Sequence, residues 1–411
     1  MDFKLIVILL AVLGTLYTLM LNIVRYFSLN NPTPENLKDV YDAETYEKWR
    51  KYSIEHSKLE IFSTVITCAI TIALLAANVY SAFTALFPKG WFMQLFSVIL
   101  LENIISAIVG TVESYISTMK IEQKYGFNRS TLKTFVKDRI RGFLVGILVS
   151  LILAVLIAVC HNWLGVWMIP AFAAVAFVFT LVISFIYPYL SRIGNKFTPL
   201  EEGDLKDSLM KLLEKYGYKV KAIEVMDASR RTTKLNAYFT GFGKLKTIVL
   251  YDNLINAMTP EEITAVFAHE LGHGLHKDVQ KSQMINIFNL LLMAAIAWGI
   301  AGLTAFYADF GFADSVNYGF TYIVLGVALG VLQPLTGLIM NAHSRKAEYR
   351  ADRQAVVEGY GDAMISAFKK LARDNFAHLS PSAINIVLEY SHPPLDCRVK
   401  NVEKCMKEIS K

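Results

Sequence analysis

The sequence predicts a mainly α-helical integral membrane protein with seven transmembrane helices and a cytosolic α+β domain. Hydrophobic residues make up 54% of the 411 residues and charged residues only 18%, against about 25% charged residues in an average soluble domain. The apolar residues are concentrated in seven long stretches, and the Lys and Arg residues lie mostly in alternate connections between them. This composition argues against a soluble enzyme, a disordered chain and a nucleic-acid-binding protein.

Seven apolar stretches are long enough to be transmembrane helices, because a bilayer core of about 30 Å requires about 20 apolar residues. The first stretch could instead be a secretory signal peptide. However, its apolar region is too long, it has no small-residue cleavage site, and six further stretches follow it. The seven predicted spans are residues 4–24, 61–87, 91–116, 143–161, 166–191, 283–307 and 319–342.

The distribution of Lys and Arg predicts the orientation of these spans. The basic residues lie in four segments: 25–60 with six, 117–142 with seven, 192–282 with fourteen and 343–411 with twelve. The other three connections contain a single Lys, Lys89. Basic connections are retained on the cytosolic side of a membrane. We therefore expect these four segments in the cytosol and the N-terminus on the opposite side.

Two of the cytosolic segments, 192–282 and 343–411, are large enough to form a catalytic domain together. Two spans separate them along the chain, but both segments lie on the same side of the membrane. The predicted organisation is 1–191 with five spans and loops 25–60 and 117–142, 192–282 as the first catalytic segment, 283–342 with two spans, and 343–411 as the second catalytic segment.

The first catalytic segment contains two short strand patterns. Residues 237–240 and 248–250 are rich in β-branched and aromatic residues, which favours strands. The glycine-containing sequence 241–244 lies between them and predicts a hairpin turn. The remaining pattern of this segment is helical.

A helix in the first catalytic segment contains the strongest chemical motif of the chain. Thr259 and Pro260 predict its N-cap and its first residue. His269 and His273 are four residues apart on that helix, so both imidazoles lie on one face and can bind one Zn²⁺. Glu270 lies beside them and can act on a metal-bound water. Residues 265–268 are apolar, which indicates a half-buried helix rather than a solvated pair of histidines.

A catalytic zinc ion needs a third protein ligand and an open position for water. Topology excludes Asp309 and Asp314, which we expect on the opposite side of the membrane. Asp278 lies nine residues after His269, which would place it on the opposite face of the same helix. The third ligand must therefore come from the second catalytic segment.

Glu348 and Asp352 are the preferred candidates, because they lie four residues apart on one helix face just after the seventh span. One can bind zinc while the other accepts the free ring N–H of a ligand histidine. Since Glu has the longer reach, we assign the metal to Glu348 and the supporting contact to Asp352. A solvated charged helix is the alternative interpretation. Topology leaves four other acidic residues open, which are Glu358, Asp362, Asp374 and Glu389.

Two further features could serve this site. His392 lies in a proline-rich turn and could donate a hydrogen bond to the oxyanion of a tetrahedral intermediate, although a plain surface turn is the alternative. Residues 236–238 could form an exposed strand that pairs with an extended substrate backbone, although an ordinary core strand is the alternative.

Six polar residues at membrane depth predict either helix–helix hydrogen bonds or a water-containing space between helices: Glu102, Asn103, Glu113, Asn286, Asn289 and Gln333.

The chain resembles the CAAX prenyl protease 1 family, which are integral-membrane zinc metalloproteases that include the a-factor-converting enzyme. The resemblance rests on motifs that occur in the family's order. They are Tyr52-Ser53 with Lys58-Leu59-Glu60, residues 122–128 with Lys137-Asp138, Asn236-Ala237-Tyr238, residues 269–273, residues 348–352 and Ser391-His392-Pro393.

The resemblance implies a helical barrel around a large water-filled chamber, capped on the cytosolic side by a zincin-like domain with one Zn²⁺ per chain. It implies His269, His273 and Glu348 as zinc ligands and Glu270 as the catalytic base. It also implies that Asn236, Ala237, Tyr238 and His392 contact the substrate or the transition state. The family similarly carries an arginine at the position of Arg398, which we expect near the substrate.

The expected reaction is hydrolysis of a peptide bond, most simply removal of the last three residues of a prenylated CAAX protein. The expected location is the ER membrane of a eukaryotic cell or the cell membrane of a prokaryotic cell. The alternative enzyme is a quality-control protease that cuts unprenylated or translocon-stalled membrane proteins. A non-catalytic scaffold is disfavoured, because it need not keep Glu270 beside two ligand histidines. The sequence gives no indication of oligomeric state.

Overall fold

The structure is a computed structural model that describes residues 2–192, 194–240, 247–312 and 315–410. Within these residues the protein is mainly helical and contains one small sheet. The helices are α1 (Phe3–Ser28), α2 (Ala43–Ala76), α3 (Val79–Thr84), α4 (Trp91–Ser114), α5 (Gln123–Tyr125), α6 (Leu132–Leu164), α7 (Met168–Ser191), α8 (Asp204–Lys215), α9 (Asp252–Ala257), α10 (Pro260–Leu275), α11 (Asp278–Ala301), α12 (Thr304–Asp309), α13 (Tyr318–Val357), α14 (Gly361–Asp374), α15 (Ala383–Leu388) and α16 (Leu395–Ile409). The strands are β1 (Phe197–Pro199), β2 (Ala222–Met226), β3 (Ala237–Thr240) and β4 (Thr247–Tyr251).

Six helical runs in the described residues are long and apolar enough to cross a membrane. Five of them each overlap one of the predicted spans. The sixth run, 132–186, is 55 residues long and overlaps two predicted spans. A short 3₁₀ turn, Gly165–Trp167, divides it into α6 and α7, which have 33 and 24 residues. The protein is thus a helical, multi-pass membrane protein.

Two predicted spans do not continue to their expected ends. The second was predicted through residue 87, but α2 ends at Ala76 and Asn78 adopts a left-handed conformation with φ of 55°. The sixth was predicted through residue 307, but α11 ends at Ala301. In both places a separate short helix follows, α3 or α12. Tyr80 of α3 and Tyr307 of α12 pack in one buried cluster with Phe320, which stabilises these short helices.

Helix α13 continues well past the end of the seventh predicted span. It has 40 residues, so the apolar stretch 319–342 and both Glu348 and Asp352 belong to one helix. The C-terminal part of α13 packs closely on α10 at Gly272. A Cβ atom added to Gly272 would lie 3.0 Å from the Ala351 Cα atom and 3.0 Å from the Gln354 Cβ atom. One continuous helix therefore carries the second catalytic segment to the histidine helix.

The sheet has the strand order β1-β2-β4-β3. Strands β2 and β4 are parallel, and the other neighbours are antiparallel. Both predicted strands, 237–240 and 248–250, are confirmed. They pair in an antiparallel register with Ala237 opposite Leu250. The predicted turn 241–244 lies outside the described residues.

The two predicted catalytic segments share one hydrophobic core. This cluster contains Leu209, Ile248 and Phe267 from the first segment, and Phe368 and Val402 from the second. Each of these side chains is at most 6% exposed. Burial of large apolar side chains contributes about 1.5–3 kcal/mol each. The packing therefore holds α10 against the C-terminal helices.

A cavity of about 860 Å³ lies between α1, α2, α4 and α13. Four of the six polar residues singled out from the sequence line it, which are Glu102, Asn103, Glu113 and Gln333. Asn289 instead donates a hydrogen bond to the Met340 sulfur of a neighbouring helix at 3.1 Å. Polar side chains inside the helical bundle thus line a space or join helices, depending on their position.

Candidate metal centre

The histidine helix α10 begins with a complete capping box. The Glu262 N–H donates to the Thr259 hydroxyl at 3.3 Å, and the Thr259 N–H donates to the Glu262 carboxylate at 2.8 Å. This pair satisfies backbone donors that the first turn leaves unpaired. The start of α10 is therefore fixed at Pro260, as the sequence predicts. His269 and His273 follow on one face, with ring centroids 4.8 Å apart.

His269, His273 and Glu348 are brought together as predicted. The candidate ligand atoms of the three side chains all lie within 4.8 Å of one another. The Glu348 carboxylate lies 3.5 Å from His269 Nε2 and 3.3 Å from His273 Nε2. His269 and Glu348 are almost fully buried. Two imidazoles and one carboxylate are a donor set that suits zinc in a catalytic site.

A buried oxygen of Glu348 supports a cation at this position. The Oε2 atom has no hydrogen-bond partner. Arg398 Nη2 lies 3.2 Å from it and His269 Nε2 lies 3.5 Å from it, but neither forms a hydrogen bond with it. An ionised oxygen that is buried without a hydrogen bond is costly. A metal ion bound between Glu348 and the two histidines would satisfy it.

Asp352 contacts the Nδ1 side of the His269 ring, and Arg398 binds Asp352. His269 Nδ1 lies 2.9 Å from Asp352 Oδ1, so the ring can donate there while Nε2 faces Glu348. Arg398 donates to both Asp352 oxygens, at 2.6 and 3.0 Å. Asp352 is fully buried. The sequence predicts a contact between Asp352 and a candidate ligand histidine, and the contact with His269 is present.

Arg398 was predicted among the substrate-binding residues, a role that stays a prediction, and its side chain lies on the buried side of the candidate ligands. It contacts Asp352 and Glu348 and stacks on the Phe368 ring, with its guanidinium carbon 4.2 Å from the ring centroid. Its side chain is only 13% exposed. Burial alone would lower the pKa of Arg398, but the Asp352 and Glu348 carboxylates raise it. Neutralising two buried carboxylates explains this position.

Asp278 supports His273, which the sequence did not predict. His273 Nδ1 lies 3.1 Å from Asp278 Oδ2, and Arg350 Nη2 lies 2.7 Å from Asp278 Oδ1. The expectation that Asp278 lies on the opposite face of the histidine helix is wrong. Helix α10 ends at Leu275, and Lys277 takes a left-handed conformation with φ of 56°. The chain therefore reverses, and Asp278 at the start of α11 points back to His273.

Some sequence signals could have indicated this reversal. Gly274 lies one residue before the end of α10, and His276 and Lys277 follow that end. Glycine and basic residues are common at helix C-termini. These signals indicate that the helical spacing should not be extended to Asp278.

The surroundings of His273 favour its protonated form when no metal is bound. Burial lowers the pKa of His273, but the hydrogen bond with Glu348 and the nearby Asp278 and Glu270 carboxylates raise it to about 9. A metal ion must displace this proton to bind the ring. Metal affinity at neutral pH is therefore coupled to the protonation of His273.

Glu270 and strand β3 both line one small apolar space. Glu270, Ala237, Tyr238 and Phe267 all line it. Asn236 is exposed, and its carbonyl accepts a hydrogen bond from the Tyr251 N–H at 3.1 Å. In the described part of the sheet, β3 pairs only with β4. The segment 236–238 is therefore an edge strand beside Glu270 and not a central core strand.

His392 reaches the ligand cluster from the second catalytic segment. Its Nε2 lies 3.3 Å from Glu348 Oε1, and its side chain is 63% exposed. The Ser391 hydroxyl lies 2.9 Å from His392 Nδ1. The histidine thus adjoins the cluster from the solvent side, where a substrate carbonyl could approach.

Three of the acidic residues left open as ligands pair elsewhere. Glu358 pairs with Lys215 and the Tyr216 hydroxyl, Asp374 pairs with Arg373, and Glu389 pairs with Arg25. Asp309 accepts a hydrogen bond from the Phe3 N–H, at the other end of α1 from Ser28. Asp314 lies outside the described residues. Among the described residues, Glu348 is the carboxylate that groups with the two histidines.

Known proteins share both halves of this architecture. Residues 23–192 match the family described as CAAX prenyl protease N-terminal, five membrane helices, and residues 199–406 match Peptidase family M48. The CAAX prenyl protease 1 homolog of Arabidopsis thaliana is 31% identical over 397 residues, which cover 93% of each chain. This chain belongs to the CAAX prenyl protease 1 family.

Two further comparisons agree with this assignment. CAAX prenyl protease 1 of Saccharomyces cerevisiae is 30% identical, covering 88% of this chain and 86% of the yeast protein. The crystal structure of S. mikatae Ste24p matches with a TM-score of 0.89 at 27% identity, covering 98% of this chain and 99% of that chain. The protein is accordingly a metalloprotease of the membrane, with a metal centre expected of Peptidase family M48.

Proposed function

We propose that this protein is a zinc-dependent endoprotease that removes the C-terminal three residues of prenylated CAAX proteins at the cytosolic face of a membrane. The observation that carries the proposal is the grouping of His269, His273 and Glu348 beside Glu270 and an open edge strand. The names of the Arabidopsis and yeast relatives support the substrate class.

His269, His273 and Glu348 would hold the zinc ion. When bound, zinc lowers the pKa of a ligated water towards about 7 and polarises the scissile carbonyl. The unpartnered Glu348 oxygen and the two ring nitrogens that face it support this ligand set. Asp352 and Asp278 would fix the orientation of the two rings by accepting their other N–H groups.

Glu270 would act as the general base and then as the general acid. It lies next to His269 in the sequence and lines the space beside β3. From this position it can take a proton from the attacking water and deliver it to the leaving amine. His392 would donate a hydrogen bond to the oxyanion, because its Nε2 adjoins the ligand cluster from the exposed side.

The substrate backbone would pair with the open edge of β3. An extended peptide that adds a strand to a sheet obtains its affinity from main-chain hydrogen bonds. Asn236, Ala237 and Tyr238 would supply these contacts, and their proximity to Glu270 would place a peptide bond near the base. Arg398 would contribute indirectly, through Asp352.

The membrane part would contain seven spans with the catalytic domain in the cytosol. Helices α6 and α7 each exceed the length of about 20 residues that one crossing requires, so the run 132–186 would cross twice. The cavity between α1, α2, α4 and α13 would be part of an enclosed water-filled chamber. The catalytic domain would consist of 192–282 and 343–411, in the ER membrane or the cell membrane according to cell type.

A cleavage assay tests this function. Detergent-purified protein is given a farnesylated CAAX peptide and the same peptide without the lipid, beside a Glu270→Gln variant. We expect zinc-dependent release of the tripeptide that is lost in the variant, by about 10²-fold or more, and weak without the lipid. Equal cutting of both peptides would favour a quality-control protease instead. Absence of cutting with zinc bound would reject the substrate class.

A further inference from the structure

Helix α13 presents one polar stripe that extends beyond the metal centre. Asn341, Arg345, Glu348 and Asp352 are spaced by four, three and four residues. This spacing places all four side chains on one face of a continuous helix. Glu348 and Asp352 belong to the metal centre, as described above. The other two contact a different part of the second catalytic segment.

Arg345 donates hydrogen bonds to the chain that leads to His392. Its Nη1 atom lies 2.9 Å from the Ile386 carbonyl oxygen and 2.7 Å from the Tyr390 carbonyl oxygen. One turn earlier on α13, Asn341 Nδ2 lies 3.0 Å from the Leu388 carbonyl oxygen. The last carbonyls of a helix have no partner within it. Arg345 and Asn341 therefore cap the short helix α15 from outside.

Arg345 binds the backbone two residues before His392. Tyr390 accepts from Arg345, and His392 follows after Ser391. The His392 side chain is mostly exposed, so little packing holds the ring itself. The position of its ring thus depends on the backbone that Arg345 holds. Since Arg345 lies one turn from Glu348, the distance between His392 and the metal ligands is set by a single helix.

We infer that Arg345 is a positioning residue that fixes His392 relative to the metal centre, with Asn341 as a weaker second contact. The inference rests on the proposed function, in which His392 stabilises the oxyanion. Arg345 itself touches neither substrate nor metal. Removal of the Arg345 side chain should misplace the His392 ring, while metal binding and the edge strand β3 stay intact.

Contacts on the other side of α15 make this testable without unfolding the segment. Asn385 Nδ2 donates to the Leu21 carbonyl at 3.0 Å, and Glu389 pairs with Arg25 at 2.8 Å. These contacts to α1 remain when Arg345 is replaced. We therefore expect an Arg345→Ala variant to fold with a more mobile turn at His392.

The experiment compares Arg345→Ala, His392→Ala and the double variant with the farnesylated peptide. We expect Arg345→Ala to lower kcat by about tenfold to a hundredfold, since a misplacement of about 1 Å can cost a hundredfold, with KM and zinc content within twofold of the wild type. The double variant should be no slower than His392→Ala alone. Losses that multiply, loss of zinc from Arg345→Ala, or unchanged kcat would each overturn the inference.

Two further variants guard against a folding defect. Arg345→Lys keeps the charge but has a single ammonium in place of the planar guanidinium, and it should show a smaller loss of kcat in the same direction. Arg353→Ala is the matched control. Arg353 lies on the same helix in an exposed pair with Glu408, and its kcat should stay within twofold.

Hydrogen–deuterium exchange provides a readout that does not depend on cleavage. Amides of residues 386–392 should exchange faster in Arg345→Ala than in the wild type and in Arg353→Ala. Unchanged exchange there would overturn the inference. If the wild type does not cleave the farnesylated peptide, the proposed function fails, and the exchange comparison still decides the role of Arg345.

Discussion

Each of the two candidate ligand histidines contacts a carboxylate that is paired with an arginine, but the carboxylates and arginines come from different helices. His269 contacts Asp352, which is held by Arg398 from the C-terminal helix α16. His273 contacts Asp278, which is held by Arg350 from α13. Each histidine thus has a carboxylate and an arginine behind it. The arrangement lets each ring donate from Nδ1 and direct Nε2 towards Glu348.

The two supports differ in the burial of their arginines. Both carboxylates are buried, with side chains 0% exposed for Asp352 and 7% exposed for Asp278, but the Arg398 side chain is 13% exposed and the Arg350 side chain is 37% exposed. Removing one partner of a buried ion pair leaves an uncompensated charge and is strongly destabilising, whereas solvent screens a more exposed pair. The comparison therefore predicts that Asp352 contributes to both folding and metal binding, and Asp278 mainly to metal binding.

Replacing Asp352 should have the largest effect. Asp352→Asn keeps the shape but leaves the buried Arg398 without its main charge partner. We expect a loss of unfolding free energy of about 3–5 kcal/mol and a loss of zinc affinity of about a hundredfold. Chemical unfolding in detergent and zinc competition with a fluorescent chelator measure the two quantities. A variant with wild-type stability would contradict the role of burial.

Gly272→Ala should disturb both histidines together. The added Cβ would meet the Ala351 Cα atom at 3.0 Å, so α10 and α13 must move apart. Overpacking of this kind costs about 1–3 kcal/mol of unfolding free energy, and we expect zinc affinity to fall as well. Gly142→Ala, where an added Cβ meets nothing within 4 Å, is the control. Wild-type stability and zinc affinity in Gly272→Ala would show that close packing at Gly272 does not matter to the site.

Asp278→Asn should weaken zinc binding with a smaller loss of stability than Asp352→Asn. The remaining Arg350 is partly exposed and can be solvated. We expect about a tenfold loss of zinc affinity and less than about 1 kcal/mol of unfolding free energy. The same chelator competition and unfolding experiments apply. Equal stability losses in Asp278→Asn and Asp352→Asn would show that the two supports are equivalent.

The pH dependence of zinc affinity should report on His273. The pKa of His273 is raised to about 9 in the metal-free protein, so a proton competes with zinc below that pH. Apparent affinity should rise about tenfold per pH unit between about pH 6.5 and 8.5, as displacement of one proton requires. In Asp278→Asn this rise should level off at a lower pH, because one contact that raises the pKa is gone. A profile identical to the wild type would refute the contribution of Asp278.

The sequence by itself determined the features that depend on local repetition. The hydropathy pattern indicated a multi-pass membrane protein because burial in a bilayer requires long apolar helices. The four-residue spacings of His269 with His273 and of Glu348 with Asp352 fixed two pairs of side chains on helix faces, since the helical period is the same in every context. Strands 237–240 and 248–250 were likewise predicted from their β-branched and aromatic residues.

Only the tertiary structure decided which other residues contact the histidine pair and the Glu348–Asp352 pair. Asp278 reaches His273 because the chain reverses at Lys277, and a helical extrapolation from His269 cannot include that turn. Arg398 reaches Asp352, and Arg345 reaches Tyr390, because the C-terminal segment docks on α13 and shares its core. Such contacts depend on the packing of elements that are far apart in the chain, for which residue spacing holds no information.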